Sequence, residues 1–229
     1  MKLTTTRSND SKKTGYELYV DGEYMFSVDQ EDYIRLHLYD KCEISDEELD
    51  EIKTKVEVSR GISCALKYTI RQKRTGKQVE DCLLKNDISP KAIEQVLQYL
   101  AQQKYIDDPD YAKRYMRSRI KTTDKSLNLI VTELQQRGIP EELTENLIPK
   151  YADMEFDRAY AAVLKRYGSF KMANPLTNRE DTGSSEDPFG LTKMTVTERL
   201  KLKKKVYQFL MYRGYKQDTI TDIINKTGI

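Results

Sequence analysis

A chain of 229 residues with 38% hydrophobic and 33% charged residues and a mean hydropathy of −0.74 suits a soluble protein of one or two domains with much solvated surface. Its apolar runs all fall short of the roughly eighteen residues of a membrane span, which excludes a bundle of transmembrane helices. The net charge of +2 is uneven: residues 1–62 carry 9 Lys+Arg against 15 Asp+Glu, and residues 63–229 carry 30 against 22, an acidic head on a basic body that hints at an anionic partner.

Residues 1–15 are polar and rich in Thr, Ser and Lys, without the apolar centre of a signal peptide. They read as a flexible tail on a protein that stays in the cytoplasm. Tyr16–Val20 and Glu23–Val28 are short aromatic and β-branched runs separated by Asp21-Gly22, the pattern of a β-hairpin. Beyond Asp29 the chain reads as helix almost to its end. Tyr33, Leu36 and His37 begin one amphipathic segment, and Ser45 with Glu48 forms a capping box at the start of the next. The hairpin and this acidic helical segment make up residues 16–62.

The most informative feature is an internal repeat aligned on Leu83, Leu134 and Leu210. Four residues before each stand Val79, Ile130 and Val206; five after stand Ile88, Ile139 and Tyr215. The leucine and the residue four before it share a helical face. Gly138, Gly214 and the pair Asn86-Asp87 are suited to the left-handed conformation that stops a helix. In the first repeat Ser89 is expected to cap the next helix and Pro90 to open it, with Ile88 and Ile93 as a staple. Each motif follows an amphipathic segment: 65–72, 111–120 and 156–167. The expected fold is therefore all-α, with three tandem three-helix repeats, 63–108, 109–152 and 153–229, in an elongated arrangement behind a small N-terminal hairpin. The third repeat carries an inserted loop, 171–197, rich in Pro, Gly, Ser and Asp and expected to be exposed and mobile.

Enzymatic signatures are lacking. Thr75-Gly76-Lys77 has the last letters of a phosphate-binding loop without its upstream glycine. Cys42, Cys64 and Cys82 are an odd, widely spaced set with one histidine, His37, in the whole chain, so reduced cysteines and no metal are expected. Asp107-Asp108-Pro109 reads as a helix start, with Asp108 as cap. The expectation is a binding protein with no cofactor and no small-molecule substrate.

Basic residues are the remaining candidates for a site. Arg71, Lys73, Arg74 and Lys77 close the first helix of repeat one. Lys113, Arg117 and Lys121 recur every four residues in repeat two, opposite Ala112, Met116 and Ile120, with Arg114 and Arg119 beside them. Lys201, Lys203, Lys204 and Lys205 surround the apolar stripe Leu202, Val206 and Leu210 in repeat three. Such patches attract phosphates or acidic protein surfaces without sequence preference. A helix-turn-helix reader of duplex DNA fits poorly, because Glu141 and Glu142 stand where the reading helix would begin.

Read in order, Tyr19-Val20-Asp21-Gly22-Glu23-Tyr24, the helix from Tyr68 to Arg74, Tyr105-Ile106-Asp107-Asp108 with Tyr111-Ala112, then Glu133-Leu134, Arg137-Gly138-Ile139, Phe209-Leu210 and Arg213-Gly214-Tyr215 resemble the RecX family of regulatory proteins. Where members often carry Lys-Gly-Pro before the second helix of repeat two, this chain has Lys125-Ser126-Leu127. The resemblance implies a cytoplasmic modulator that binds RecA filaments on single-stranded DNA and lowers ATP hydrolysis, filament extension and strand exchange, with contacts to single- and double-stranded DNA in some members; a monomer is expected. Beside it, the charge pattern leads to the expectation that the basic stripes of repeats two and three enter the filament groove, with the acidic head outward. A non-specific DNA-binding protein and a generic helical scaffold stay open beside it.

Overall fold

The computed structural model describes residues 1–8, 15–168 and 188–229, which fall into two compact units, Met1–Asp107 and Asp108–Ile229. The first unit opens with an antiparallel sheet in the order β1 (Leu3–Arg7), β2 (Gly15–Val20), β3 (Glu23–Asp29). Asp21 and Gly22 both take positive φ, 51° and 90°, the twist that a two-residue hairpin needs. Of the expected tail 1–15, residues 9–14 lie outside the described residues, and the start of the chain is not a tail but a strand. Leu3 pairs with Val20, the amide of Ile44 donates to the Met1 carbonyl at 2.9 Å, and the terminal ammonium donates to the Ile44 carbonyl at 3.0 Å. The Thr4-Thr5-Thr6 run, polar in composition, is β-branched and suits a strand. Leu3, Leu18, Val20 and Val28 form one face of a core with Leu38, Ile44, Ile52 and Val56.

Helix α1 (Gln30–Arg35) is shorter than the sequence pattern implies. His37, expected within the segment, instead adopts φ 53° as its left-handed stop, and its Nδ1 meets the Tyr39 hydroxyl at 3.0 Å. Helix α2 (Asp46–Ile70) starts at the Ser45–Glu48 capping box and runs without interruption through the expected boundary at residue 62. Its first half buries Ile52 and Val56 against the sheet, and its second half buries Gly61, Ala65 and Thr69 towards α3 (Gly76–Leu84) and α4 (Pro90–Gln102). One helix thus serves two cores. A Cβ on Gly61 would stand 2.8 Å from a methyl of Val96, so the missing side chain allows α4 to approach. Thr75 closes a second capping box with Gln78, which accounts for Thr75-Gly76-Lys77 as a helix start. Ser89 occupies the N-cap of α4, but its hydroxyl donates to Glu57 on α2 and makes no cap bond.

The second unit contains α5 (Asp108–Thr122), α6 (Leu127–Gln135), α7 (Glu141–Glu145), α8 (Glu155–Tyr167), α9 (Val196–Tyr212) and α10 (Gln217–Thr227). Helix α5 already includes Asp108, the residue expected as its cap, and so begins one residue earlier than the expected start at Pro109. Helix α7 is cut short because Pro149 cannot coexist with a helical carbonyl at Glu145, and two 3-10 turns, Ile148–Lys150 and Ala152–Met154, carry the chain to α8. Ser126 caps α6 by accepting from the Leu129 amide at 3.2 Å. Of the expected loop 171–197, residues 171–187 lie outside the described residues. In the remainder Phe189 is buried in the core with Val163, Val206 and Ile220, and Val196 already belongs to α9.

The repeat is closed in the same way three times. Amides of Ile88, Ile139 and Tyr215 donate to the carbonyls of Leu83, Leu134 and Leu210 at 3.2, 3.1 and 3.1 Å. The residues just before them, Asp87, Gly138 and Gly214, have φ of 56°, 82° and 81°, and donate to Leu84, Gln135 and Met211. This double bond pattern is the Schellman stop. All three leucines and the residues four before them have no exposed surface.

Within the second unit the α5–α6 connection is tied to the α9–α10 turn. Ser126 donates from its amide to Arg213 at 2.8 Å and from its hydroxyl to Gly214 at 2.7 Å, and the Tyr215 hydroxyl donates to Asp124 at 3.1 Å. Arg158 on α8 adds bonds to the carbonyls of Thr123 and Lys125 at 3.1 and 2.9 Å.

Two expectations follow. Gly61→Leu should lower the unfolding free energy by about 1–3 kcal/mol through overpacking, whereas Gly61→Ala, which gains about 1 kcal/mol of helix propensity, should stay near the parent; urea titrations compare them. Burial pushes the Tyr215 hydroxyl up to about 12. A raised acid pKa contributes stability that is intact below about pH 10 and lost as pH rises towards 12. Tyr215→Phe should cost about 1 kcal/mol at neutral pH and show a smaller loss of stability than the parent across that alkaline window.

Candidate functional site

The structure sorts the candidate cations into paired and free. In the first unit Lys77 is bound to Glu80 at 3.0 Å and Asp81 at 3.3 Å, and the hydrogen bond to Glu80 leads in raising its pKa. Arg74 lies over the Tyr68 ring at 4.5 Å, whereas Arg71 and Lys73 are exposed. Lys77 is therefore neutralised locally, and Arg74 is spent on packing.

On α5, Arg114 pairs with Asp110 at 2.7 Å and Arg119 with Glu133 of α6 at 3.3 Å, its guanidinium over the Tyr115 ring at 5.0 Å. Glu133 also accepts from the Tyr115 hydroxyl at 2.6 Å and pairs with Lys125. Arg137 caps the group, 4.8 Å over Tyr115 and 3.1 Å from the Tyr111 hydroxyl. Burial works to raise the Glu133 pKa, but bonds from Lys125 and Tyr115 outweigh it and the net shift is downward. Arg119 is thus part of a structural network joining α5 to α6. Lys113, Arg117 and Lys121 remain exposed on the outer face of α5, with no ion pair among the described residues. The buried Ala112 and Met116 lie opposite.

Helix α9 keeps Lys201, Lys203, Lys204 and Lys205 exposed while Val206, Phe209 and Leu210 enter the core. Sequence reasoning passed over what stands beside Lys205. A cleft of about 310 Å³ between α8 and α9 is lined by Arg166, Tyr167, Lys205, Phe209, Tyr212 and Arg213. Arg166 and Arg213 both face the Phe209 ring, at 4.8 and 5.4 Å. The signal was present as adjacent basic–aromatic pairs at two helix ends, Arg166-Tyr167 and Tyr212-Arg213. It meant little until the fold brought the ends together. Among the described residues no group of three or more His, Cys, Asp or Glu is arranged to hold a metal, and no helix is long and apolar enough to cross a membrane.

Residues 107–147, which hold α5, α6 and α7, match the family model for the second three-helix domain of RecX. A regulatory protein RecX from Listeria welshimeri is 25% identical over 264 residues, covering 100% of this chain and 98% of that protein. The one from Listeria innocua is 30% identical over 72% of this chain and 62% of its own length, so this better-matched stretch spans less than two thirds of that relative. The chain belongs to the RecX family. A crystal structure of a regulatory protein RecX covers 98% of both chains with a TM-score of 0.62 at 22% identity. That of RecX from Lactobacillus salivarius covers 75% of this chain and 97% of its own with a TM-score of 0.57 at 25% identity.

The RecX-matched segment contains both the exposed basic stripe of α5 and the Glu133 network behind it, so one helix carries an exposed basic face and an anchored face. The depressed Glu133 contributes stability that is present above its unfolded pKa, about 4.3, and lost as pH falls through the lower folded value. Glu133→Gln should destabilise by about 1–3 kcal/mol at pH 7, because it leaves Lys125 and Arg119 without their anion. The deficit should shrink towards pH 3. Guanidinium titrations at the two pH values check both signs; equal deficits would remove the carboxylate from the account.

Proposed function

We propose that this RecX-family chain is a monomeric cytoplasmic regulator that binds RecA filaments on single-stranded DNA and restrains their ATP hydrolysis, extension and strand exchange. The observation that carries the reading is the unpaired stripe Lys113, Arg117 and Lys121 on α5, within the segment matched by the RecX family model. Three like charges spaced one helical turn apart, without carboxylates among the described residues to answer them, suit a polyanion or an acidic protein face. Lys201, Lys203 and Lys204 on α9 extend the same chemistry. Arg114 and Arg119 contribute less to this surface because their charges are already paired; in the first unit Arg74 is stacked and Lys77 paired. The function requires no bond to be made or broken by this chain: occupying the filament is enough to limit what RecA does there.

The test is ATP hydrolysis by the cognate RecA on single-stranded DNA, with this protein titrated from well below the RecA concentration up to equality. Suppression far below one-to-one is expected, which indicates action at filament ends or over long stretches. The combined charge reversal Arg117→Glu, Lys121→Glu and Lys204→Glu should raise the concentration needed for half suppression by about ten-fold or more, since each lost phosphate contact weakens binding several-fold at moderate salt. Undiminished suppression by that variant would remove these stripes from the interface. No suppression by the parent would leave RecX membership as a statement of ancestry and fold.

A further inference from the structure

The cleft between α8 and α9 concentrates three cations around aromatic rings in a way that packing alone does not explain. Arg166 and Arg213 both lie over the Phe209 ring, at 4.8 and 5.4 Å from its centre, and Lys205 lines the same cleft. Among the described residues neither they nor Lys205 have an ion pair. Among the described residues the buried Arg213 Nε has no hydrogen-bond partner. Tyr212, at the cleft mouth, leaves 82% of its surface exposed, the most of any large hydrophobic residue among those described.

Basic residues at the ends of α8 and α9 have an ordinary explanation, because a helix C-terminus carries roughly half a negative charge. That accounts for Arg166 and for Arg213. It does not account for Lys205, two turns before the end of α9, or for an aromatic ring held out in water. A site that offers cations beside an open ring suits a ligand with phosphates and a flat face. Stacking needs an unpaired base, so a duplex, whose bases are covered by their neighbours, cannot use the ring. The space of about 310 Å³ is at the small end of ligand sites and suits one nucleotide of a strand rather than a whole helix.

We infer that this cleft is a single-stranded nucleic-acid site, in which Arg166, Lys205 and Arg213 hold backbone phosphate and Tyr212 stacks on a base. Phe209 is the floor over which the two guanidinium groups lie, and Tyr167 buttresses it edge-on with ring centres 5.9 Å apart. The site deepens the proposed function by giving the chain its own grip on the strand that a filament covers. It rests on that reading only for its biological use, since the binding itself needs no RecA.

The experiment is fluorescence anisotropy of a labelled oligothymidylate with the full chain and no RecA. Tyr212→Ala should weaken binding by about ten-fold, the loss of one stacked base, while Tyr212→Phe should bind as the parent does. Arg166→Gln and Lys205→Gln, both at exposed positions, should each reduce the salt slope of the affinity by about 0.7. Unlabelled duplex should compete much less well than unlabelled single strand at equal nucleotide concentration, and inorganic phosphate should not displace the probe at comparable concentration. Unchanged binding by Tyr212→Ala, equal competition by duplex, or displacement by phosphate would each overturn the assignment. Suppression of RecA ATPase is measured on the same variants; if it persists when the oligonucleotide result is negative, the cleft fails alone and the filament reading survives.

Discussion

The stop after Leu83, Leu134 and Leu210 is the constraint on which the rest of the helical architecture hangs. Each stop satisfies carbonyls that the end of a helix would otherwise leave unpaired. It also turns the chain so that Ile88, Ile139 or Tyr215 lands against the leucine five residues earlier. The left-handed residue is not chosen for conformation alone. Asp87 manages the first stop with φ 56°, at the modest cost that Asn and Asp bear there. At the third, a Cβ on Gly214 would come within 2.8 Å of the Ser126 hydroxyl oxygen and 3.0 Å of the Leu129 Cβ. The backbone of one turn is pressed against the helix cap of another, so that position has no room for the solution used at Asp87.

Charge is divided between holding the molecule together and leaving it available to bind. Glu133 shows the first use: one carboxylate gathers Lys125, Arg119 and Tyr115 and ties α5 to α6. Surface pairs such as Arg114–Asp110 contribute little stability, a few tenths of a kcal/mol to about 1, but they cancel a charge locally. What is left on the outer face of α5 is uncancelled. The same arithmetic applies to α9, where lysines surround a core-facing stripe and the cations nearest its end gather around Phe209.

Much of this was legible in the sequence and some was not, for identifiable reasons. The repeat was legible because its signal is local: apolar residues four and five positions from a leucine, with a glycine or Asn-Asp between. The capping boxes at Ser45 and the hairpin at Asp21-Gly22 are local too. β1 was missed because its evidence is a partner, not a pattern; only Leu3 points inward, and the strand exists through its register with β2 and the bonds between Met1 and Ile44. The unbroken α2 was divided because its buried face changes allegiance from sheet to repeat near Gly61, which looks like two segments in a periodicity count. Phe189, next to Asp187-Pro188, sat in turn chemistry and gave no sign that it would be buried. The sorting of the cations was beyond reach, since Arg119 and Glu133 are fourteen residues apart and nothing in either neighbourhood announces the pair.

Arg213 connects these themes. Its carbonyl accepts from the Ser126 amide, so its backbone belongs to the junction between the α5–α6 connection and the α9–α10 turn. Its side chain lies over Phe209, a residue of the buried core that also lines the cleft. The next residue, Gly214, is the helix stop itself. A cation placed on a mobile loop would lose conformational entropy on gripping a ligand; this one is fixed by the same bonds that end α9 and has little left to lose. The turn that closes the third repeat therefore also positions the charge at the mouth of the cleft, which is why the repeat and the site are best understood as one piece of structure.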